Sequence, residues 1–137
     1  MRDNAKSGAL TEVTFFVLLS LYEPRHGYAI MQFIEDKTNG RLVLGAGSLY
    51  GAIDSLCKKG WIELYDDSDV RKKEYLITDL GRQIVEQELA RLKEITRIAE
   101  EIIDGVVKEI DEDVYMNNFN KVVDKYKKIY DNKGPQI

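Results

Sequence analysis

Residues 47–62 read Gly47-Ser48-Leu49-Tyr50-Gly51-Ala52-Ile53-Asp54-Ser55-Leu56-Cys57-Lys58-Lys59-Gly60-Trp61-Ile62, and this stretch decides the fold. Small and polar residues open it. Leu49, Ile53 and Leu56 then recur at helical spacing, which predicts a short amphipathic helix from about Gly47 to Lys59. Lys58 and Lys59 suit the negative end of the helix dipole, and Gly60 stops the helix. Trp61-Ile62 begin a strand. A short helix with small residues at its N-terminus fits a DNA major groove, and a strand just after it fits the wing of a winged helix-turn-helix.

Upstream, residues 10–22 are apolar over much of their surface, with Leu10, Val13, Phe15, Phe16, Val17, Leu18, Leu19 and Leu21. This predicts a buried helix in which Thr11 caps and Glu12 sits in the first turn. Pro24 ends it. His26-Gly27-Tyr28-Ala29-Ile30 opens a second helix with core positions at Tyr28 or Ala29, Ile30, Phe33 and Ile34, stopped at Gly40. Leu42-Val43-Leu44 is a candidate brief strand. Downstream, Trp61–Tyr65 and Lys73–Ile77 alternate at period two around the polar stretch from Asp66 to Arg71, which predicts a β-hairpin with a mobile tip.

A long helix is expected from Thr78 to about Asp104, with a break at Asp104-Gly105. Val85, Leu89, Leu92, Thr96, Ala99, Ile103, Val106 and Ile110 follow alternating steps of four and three, a seam that needs a partner helix. A last helix is expected after Asp111-Glu112-Asp113, with a stripe of Tyr115, Phe119, Val122, Tyr126, Ile129 and Tyr130. The expected class is mainly α with a small β-hairpin. The expected domains are a winged helix-turn-helix over 1–78, a helical dimerisation region over 79–131 and a flexible tail over 132–137.

The net charge is −4. Residues 1–78 hold ten Lys/Arg against eleven Asp/Glu, so the front half is not strongly basic, although Arg71-Lys72-Lys73 is a local basic cluster. A DNA binder so composed should be weak on random sequence and sensitive to salt. The single cysteine excludes an internal disulfide and fits a reducing cytosol. No signal-peptide pattern opens the chain, and its longest apolar run, Phe15–Leu19, is far too short for a membrane span. A cytoplasmic protein with no membrane partner is expected.

Three stretches together resemble the PadR family of bacterial transcriptional regulators. They are His26-Gly27-Tyr28-Ala29-Ile30, Gly47-Ser48-Leu49-Tyr50-Gly51-Ala52-Ile53 with Gly60-Trp61-Ile62, and Lys73-Glu74-Tyr75-Leu76-Ile77-Thr78. Their order and spacing carry the match, which spans most of residues 8–81. The resemblance implies a winged helix-turn-helix with a long dimerising C-terminal helix. It also implies repression of a nearby operon and relief by a small aromatic effector. Two positions depart from the family: Gly51 stands where many relatives have proline, and Asp66, Asp67 and Asp69 stand beside the basic cluster of the wing.

Ser48 and Tyr50, with Gly47, are the candidate recognition-helix contacts to phosphate or base edges. Capping by Ser48 and packing by Tyr50 are the structural alternatives. Arg71, Lys72 and Lys73 are candidates for the flanking backbone or minor groove, against the default of an exposed charged hairpin. Tyr28 reads as core with its hydroxyl near the surface, or as a further DNA contact. His26 reads as a helix-start or surface residue, Cys57 as a small core residue, and Trp61 as a core anchor. The dimer contacts are expected at Phe15, Phe16, Leu89, Leu92, Ala99, Ile103, Val106, Phe119 and Tyr126.

These readings lead to a homodimeric, sequence-specific DNA-binding regulator that acts as a repressor on a double-stranded DNA operator. The resemblance further implies relief by a small aromatic or apolar effector, and no cofactor or metal is called for. The alternative is a winged-helix module that binds protein and not DNA. An enzyme is not expected, because no Ser/His/Asp set, Gly-rich phosphate loop or metal spacing is present.

Overall fold

The computed structural model describes residues 8–111 and 125–127. In chain order the elements are α1 (Glu12–Ser20), β1 (Arg25–His26), α2 (Gly27–Lys37), α3 (Ala46–Lys59), β2 (Ile62–Asp66), β3 (Glu74–Ile77) and α4 (Asp79–Asp111). The chain divides into two compact units after Leu92. The first holds everything from α1 to the opening turns of α4.

Several helix ends of the first unit rest on identifiable capping chemistry. Thr11 caps α1, its hydroxyl accepting from the backbone N–H of Thr14. The imidazole Nδ1 of His26 accepts from the N–H of Ala29 at 3.1 Å and caps α2, the helix-start role expected of it. At the end of α2 the left-handed residue is Asn39, φ 51°, followed by Gly40 at φ 77°. The N–H of Gly40 reaches back to Glu35 O at 2.8 Å and that of Asn39 to Asp36 O at 3.2 Å. The reversal thus begins one residue before the expected Gly40; asparagine tolerates the left-handed region. Gly60, φ 77°, closes α3 in the same way, with Gly60 N–H to Cys57 O and Trp61 N–H to Leu56 O, both 3.0 Å.

The core is where the apolar stripes meet. Val17, Leu18 and Leu21 from the first helical segment, Ile30 and Ile34 from α2, and Leu49, Ile53 and Leu56 from α3 are buried with Ile62, Ile77 and Val85. Full burial of each large aliphatic side chain stabilises by roughly 1.5–3 kcal/mol relative to exposure. Trp61 is partly buried against this cluster, as an anchor should be.

The sheet has three antiparallel strands in the order β1-β3-β2, not the two of a simple hairpin. Arg25 pairs with Tyr75 and His26 with Glu74, so the link between α1 and α2 is sewn to the wing. A two-residue strand has no periodicity to betray it. Leu42-Val43-Leu44 forms no strand: the Thr38 hydroxyl accepts from Leu42 N–H at 3.1 Å, and Leu44 is buried.

The expected break at Asp104-Gly105 does not occur, and α4 is continuous to Asp111. One interior glycine costs about 1 kcal/mol against alanine, too little to end a helix of good formers. Among the described residues no helix is long and apolar enough to cross a membrane. Of the expected last helix, residues 125–127 are helical. Tyr115, Phe119, Val122, Ile129 and Tyr130 lie outside the described residues.

Candidate nucleic-acid interface

The first turn of α3 is built to be bare. Gly45 precedes it without a side-chain cap, so the first backbone N–H groups of the helix point outward with no side chain to satisfy them. Ala46, Gly47, Ser48 and Tyr50 are exposed while Leu49, Ala52 and Ile53 face the core. Ser48 lies inside the helix and so does not cap it. Gly47 and Gly51 have open space around them, with nothing within 4 Å of where a β-carbon would stand.

Tyr50 is 52% exposed, yet the end of its ring lies over Gly27 at the start of α2. Tyr28, one residue on, is 64% exposed, and its hydroxyl accepts from the Gln32 amide at 3.3 Å. The core reading of Tyr28 is therefore corrected. The core face of α2 is set by Gly27, Ile30 and Ile34, and position 28 falls about 100° around the helix from position 27. His26, Gly27, Tyr28, Tyr50, Arg71 and Lys72 line one open concavity of about 370 Å³. The structure thus brings together candidates from α2, α3 and the wing.

The acids of the wing tip bond to its own backbone. The Asp66 carboxylate accepts from Ser68 N–H at 2.8 Å, and that bond holds its pKa below the usual carboxylate value. Asp69 accepts from Arg71 N–H at 2.9 Å and caps a single 3-10 turn over Val70–Lys72. Two of the three acids beside the basic cluster are thus tied to tip backbone. Arg71, Lys72 and Lys73 are all exposed, and none of the three is in an ion pair among the described residues. Lys58, by contrast, is paired with Asp54 at 3.0 Å, and the Lys59 ammonium sits 4.7 Å from the Trp61 ring centre.

Cys57 is exposed, against the expectation of a core residue. Leu56 points inward, and the next position turns away from the core. Partial burial and the nearby Asp54 carboxylate push the thiol pKa up, which disfavours the reactive thiolate.

The model of the transcriptional regulator PadR-like family matches residues 16–87, more than half of the chain. The chain belongs to the PadR-like family. It is 33% identical over 91 residues to an uncharacterized protein of Lysinibacillus sphaericus, covering 64% of this chain and 84% of that one. Among solved structures it resembles RosR of H. salinarum, with 26% identity, a TM-score of 0.54, and coverage of 72% of this chain and 96% of that chain. A PadR family transcription regulator of Clostridium difficile superposes with a TM-score of 0.57 at 17% identity, covering 68% and 99% of the two chains. The fold is therefore the winged-helix DNA-binding fold of PadR-like regulators, with the long helix α4 after the wing.

Residues that the sequence reading left without a role emerge at two places. Gly27 supports Tyr50, and Asp66 and Asp69 shape the wing tip. The Asx-turn spacing in the wing was visible in principle, since an aspartate two residues before its N–H donor is a common local pattern. Gly27 and Tyr50 are 23 positions apart, and no local signal connects them.

Proposed function

We propose that this PadR-like chain is a homodimeric, sequence-specific DNA-binding repressor, relieved by a small aromatic or apolar effector. The observation that carries the DNA-binding part is the shared surface of α3 and the wing. Ser48, Tyr50 and the uncapped N–H groups around Gly47 present donors of the kind that phosphate and base edges accept. Arg71, Lys72 and Lys73 supply exposed positive charge beside them. Tyr28 extends the same surface.

The dimer part rests on α4. Within the first unit Leu89 and Leu92 are exposed on this helix. Within the second unit Ile95, Ile98, Ile102 and Ile103 are exposed, with Ala99 among them. An apolar stripe at heptad spacing is stable in water when a second helix covers it. Phe15 and Phe16 on α1 are partly buried against the core and would lie at the edge of such a contact. Val106 and Phe119 complete the proposed seam from the sequence, and Tyr126 falls within the short described helical segment. Two recognition helices related by a two-fold axis would read half-sites spaced by roughly 10 base pairs or a multiple.

The test is a fluorescence anisotropy titration of the purified protein against labelled duplex from its own upstream intergenic region and against random duplex. Wild type should prefer the upstream duplex, and Ser48→Ala should narrow that preference. Equal binding of both duplexes by wild type would count against the proposal.

A further inference from the structure

The tip of the Tyr50 side chain rests on the α-carbon of Gly27. A β-carbon at Gly27 would overlap the Tyr50 hydroxyl and stand 2.9 Å from ring Cζ and 3.2 Å from Cε1. Gly27 is buried as the first residue of α2, although the ring above it is half exposed. The backbone does not demand glycine here. The positive-φ glycines of the described chain are Gly8, Gly40 and Gly60, and Gly27 is not among them. Alanine is the better helix former, so helix propensity argues against glycine as well. What glycine supplies at position 27 is the space that the phenol occupies.

That space decides where the hydroxyl sits. No hydrogen bond among the described residues holds the Tyr50 hydroxyl, although the Tyr75 phenol interacts with it electrostatically. An exposed tyrosine on a helix otherwise samples several rotamers, and fixing it on binding costs entropy. With its ring seated on Gly27, the hydroxyl is held in the concavity that also presents Arg71 and Lys72 from the wing. We propose that Gly27 is a positioning residue for DNA binding: its missing side chain seats the Tyr50 ring and pre-orients the hydroxyl toward the DNA. The proposal rests on the reading of Tyr50 as a DNA contact.

A β-carbon at position 27 would meet the far end of a flexible side chain, not backbone, so Gly27→Ala should swing the ring aside without unfolding the domain. Three measurements on the full chain test this. Proton NMR of the wild type should show a nuclear Overhauser contact between the Gly27 α-protons and the Tyr50 ring. Its absence overturns the seat whatever the DNA result. Gly27→Ala should melt no lower than wild type yet bind labelled upstream duplex about tenfold more weakly, the worth of one hydrogen bond to a charged group. In a Tyr50→Ala background the same change should cost nothing further, because the two residues act as one unit. Undiminished affinity in Gly27→Ala, or an equal loss in both backgrounds, overturns the positioning role. A wild type that shows the contact but binds upstream and random duplex equally overturns the regulator reading, and with it the use of the seat in binding.

Discussion

Gly81 lies with its α-carbon against the backbone carbonyl of Trp61. A β-carbon there would overlap that oxygen and stand 2.7 Å from Cγ1 of Ile77. The approach is held by hydrogen bonds. Thr78 N–H donates to Trp61 O at 3.0 Å, the Thr78 hydroxyl donates to Gly60 O at 2.6 Å, and Gly81 N–H donates to the same hydroxyl oxygen at 3.1 Å. The end of α3, the base of the wing and the start of α4 therefore share one junction.

Gly81→Ala should destabilise the fold by about 1–3 kcal/mol, because the obstacle is backbone and cannot rotate away. Gly51→Ala is the control. It too is a helical glycine, but nothing lies within 4 Å of it, and alanine should raise stability by about 0.5–1 kcal/mol. Thermal or urea unfolding of the two variants should move in opposite directions. Equal shifts would show that the junction is not close-packed.

Glu88 is a buried acid on α4. It accepts from the Arg91 guanidinium at 2.6 and 2.7 Å and from Leu10 N–H at 3.4 Å, fastening the chain before α1 to the long helix. The hydrogen bonds from Arg91 hold its pKa below the usual carboxylate value. A carboxyl whose folded pKa is depressed stabilises above its unfolded pKa, and the contribution is lost as pH falls through the folded one. Wild type should therefore exceed Glu88→Gln by about 1–2 kcal/mol at pH 7, a typical worth for a charge-assisted hydrogen bond. The gap should begin to narrow as pH falls below the unfolded carboxylate pKa of about 4.3 and should close only below the depressed folded pKa. A gap independent of pH in urea melts would contradict the role of the charge.

The wing cations should act on DNA without regard to sequence. Arg71→Ala with Lys72→Ala should weaken binding to upstream and random duplex alike. It should also reduce the slope of log affinity against log salt by about 2, near one unit per lost phosphate contact. An unchanged slope would rule both residues out as phosphate contacts.

The exposed stripe of α4 should hold two copies together. Ile102 is 65% exposed in the single chain, and Ile98 lies one turn earlier. Glutamate at both positions would place charge in the proposed seam and should convert a dimer to a monomer in sedimentation velocity. A wild-type protein that sediments as a monomer at micromolar concentration would contradict the dimer directly.

The fold was legible where a local pattern carried it. The stripe Leu49, Ile53 and Leu56 and the stop at Gly60 match α3, and the strand expected over Lys73–Ile77 is present as β3 from Glu74, although its burial does not alternate. Features that depend on distant partners were not. β1 exists because β3 pairs with Arg25 and His26 from some 50 residues away. Tyr28 belongs to an apolar-looking run, and only the direction set by Gly27 and Ile30 turns it out to solvent. Gly105 looked like a break because glycine weakens a helix locally, whereas continuity depends on the whole span of α4. The candidate site divides in the same way. Ser48 and the Arg71–Lys73 cluster could be named from sequence, but the seat of Tyr50 on Gly27 arises only when α2 and α3 pack.

The central claim is sequence-specific DNA recognition through α3 and the wing. A nuclease footprint of the purified protein on its own upstream intergenic DNA, repeated over a salt series, tests it most directly. A protected pseudo-palindrome, lost steeply as salt rises and weakened by Tyr50→Ala, is the expected result. Protection no better than on random DNA at low salt would contradict it and favour a winged-helix surface that binds protein instead.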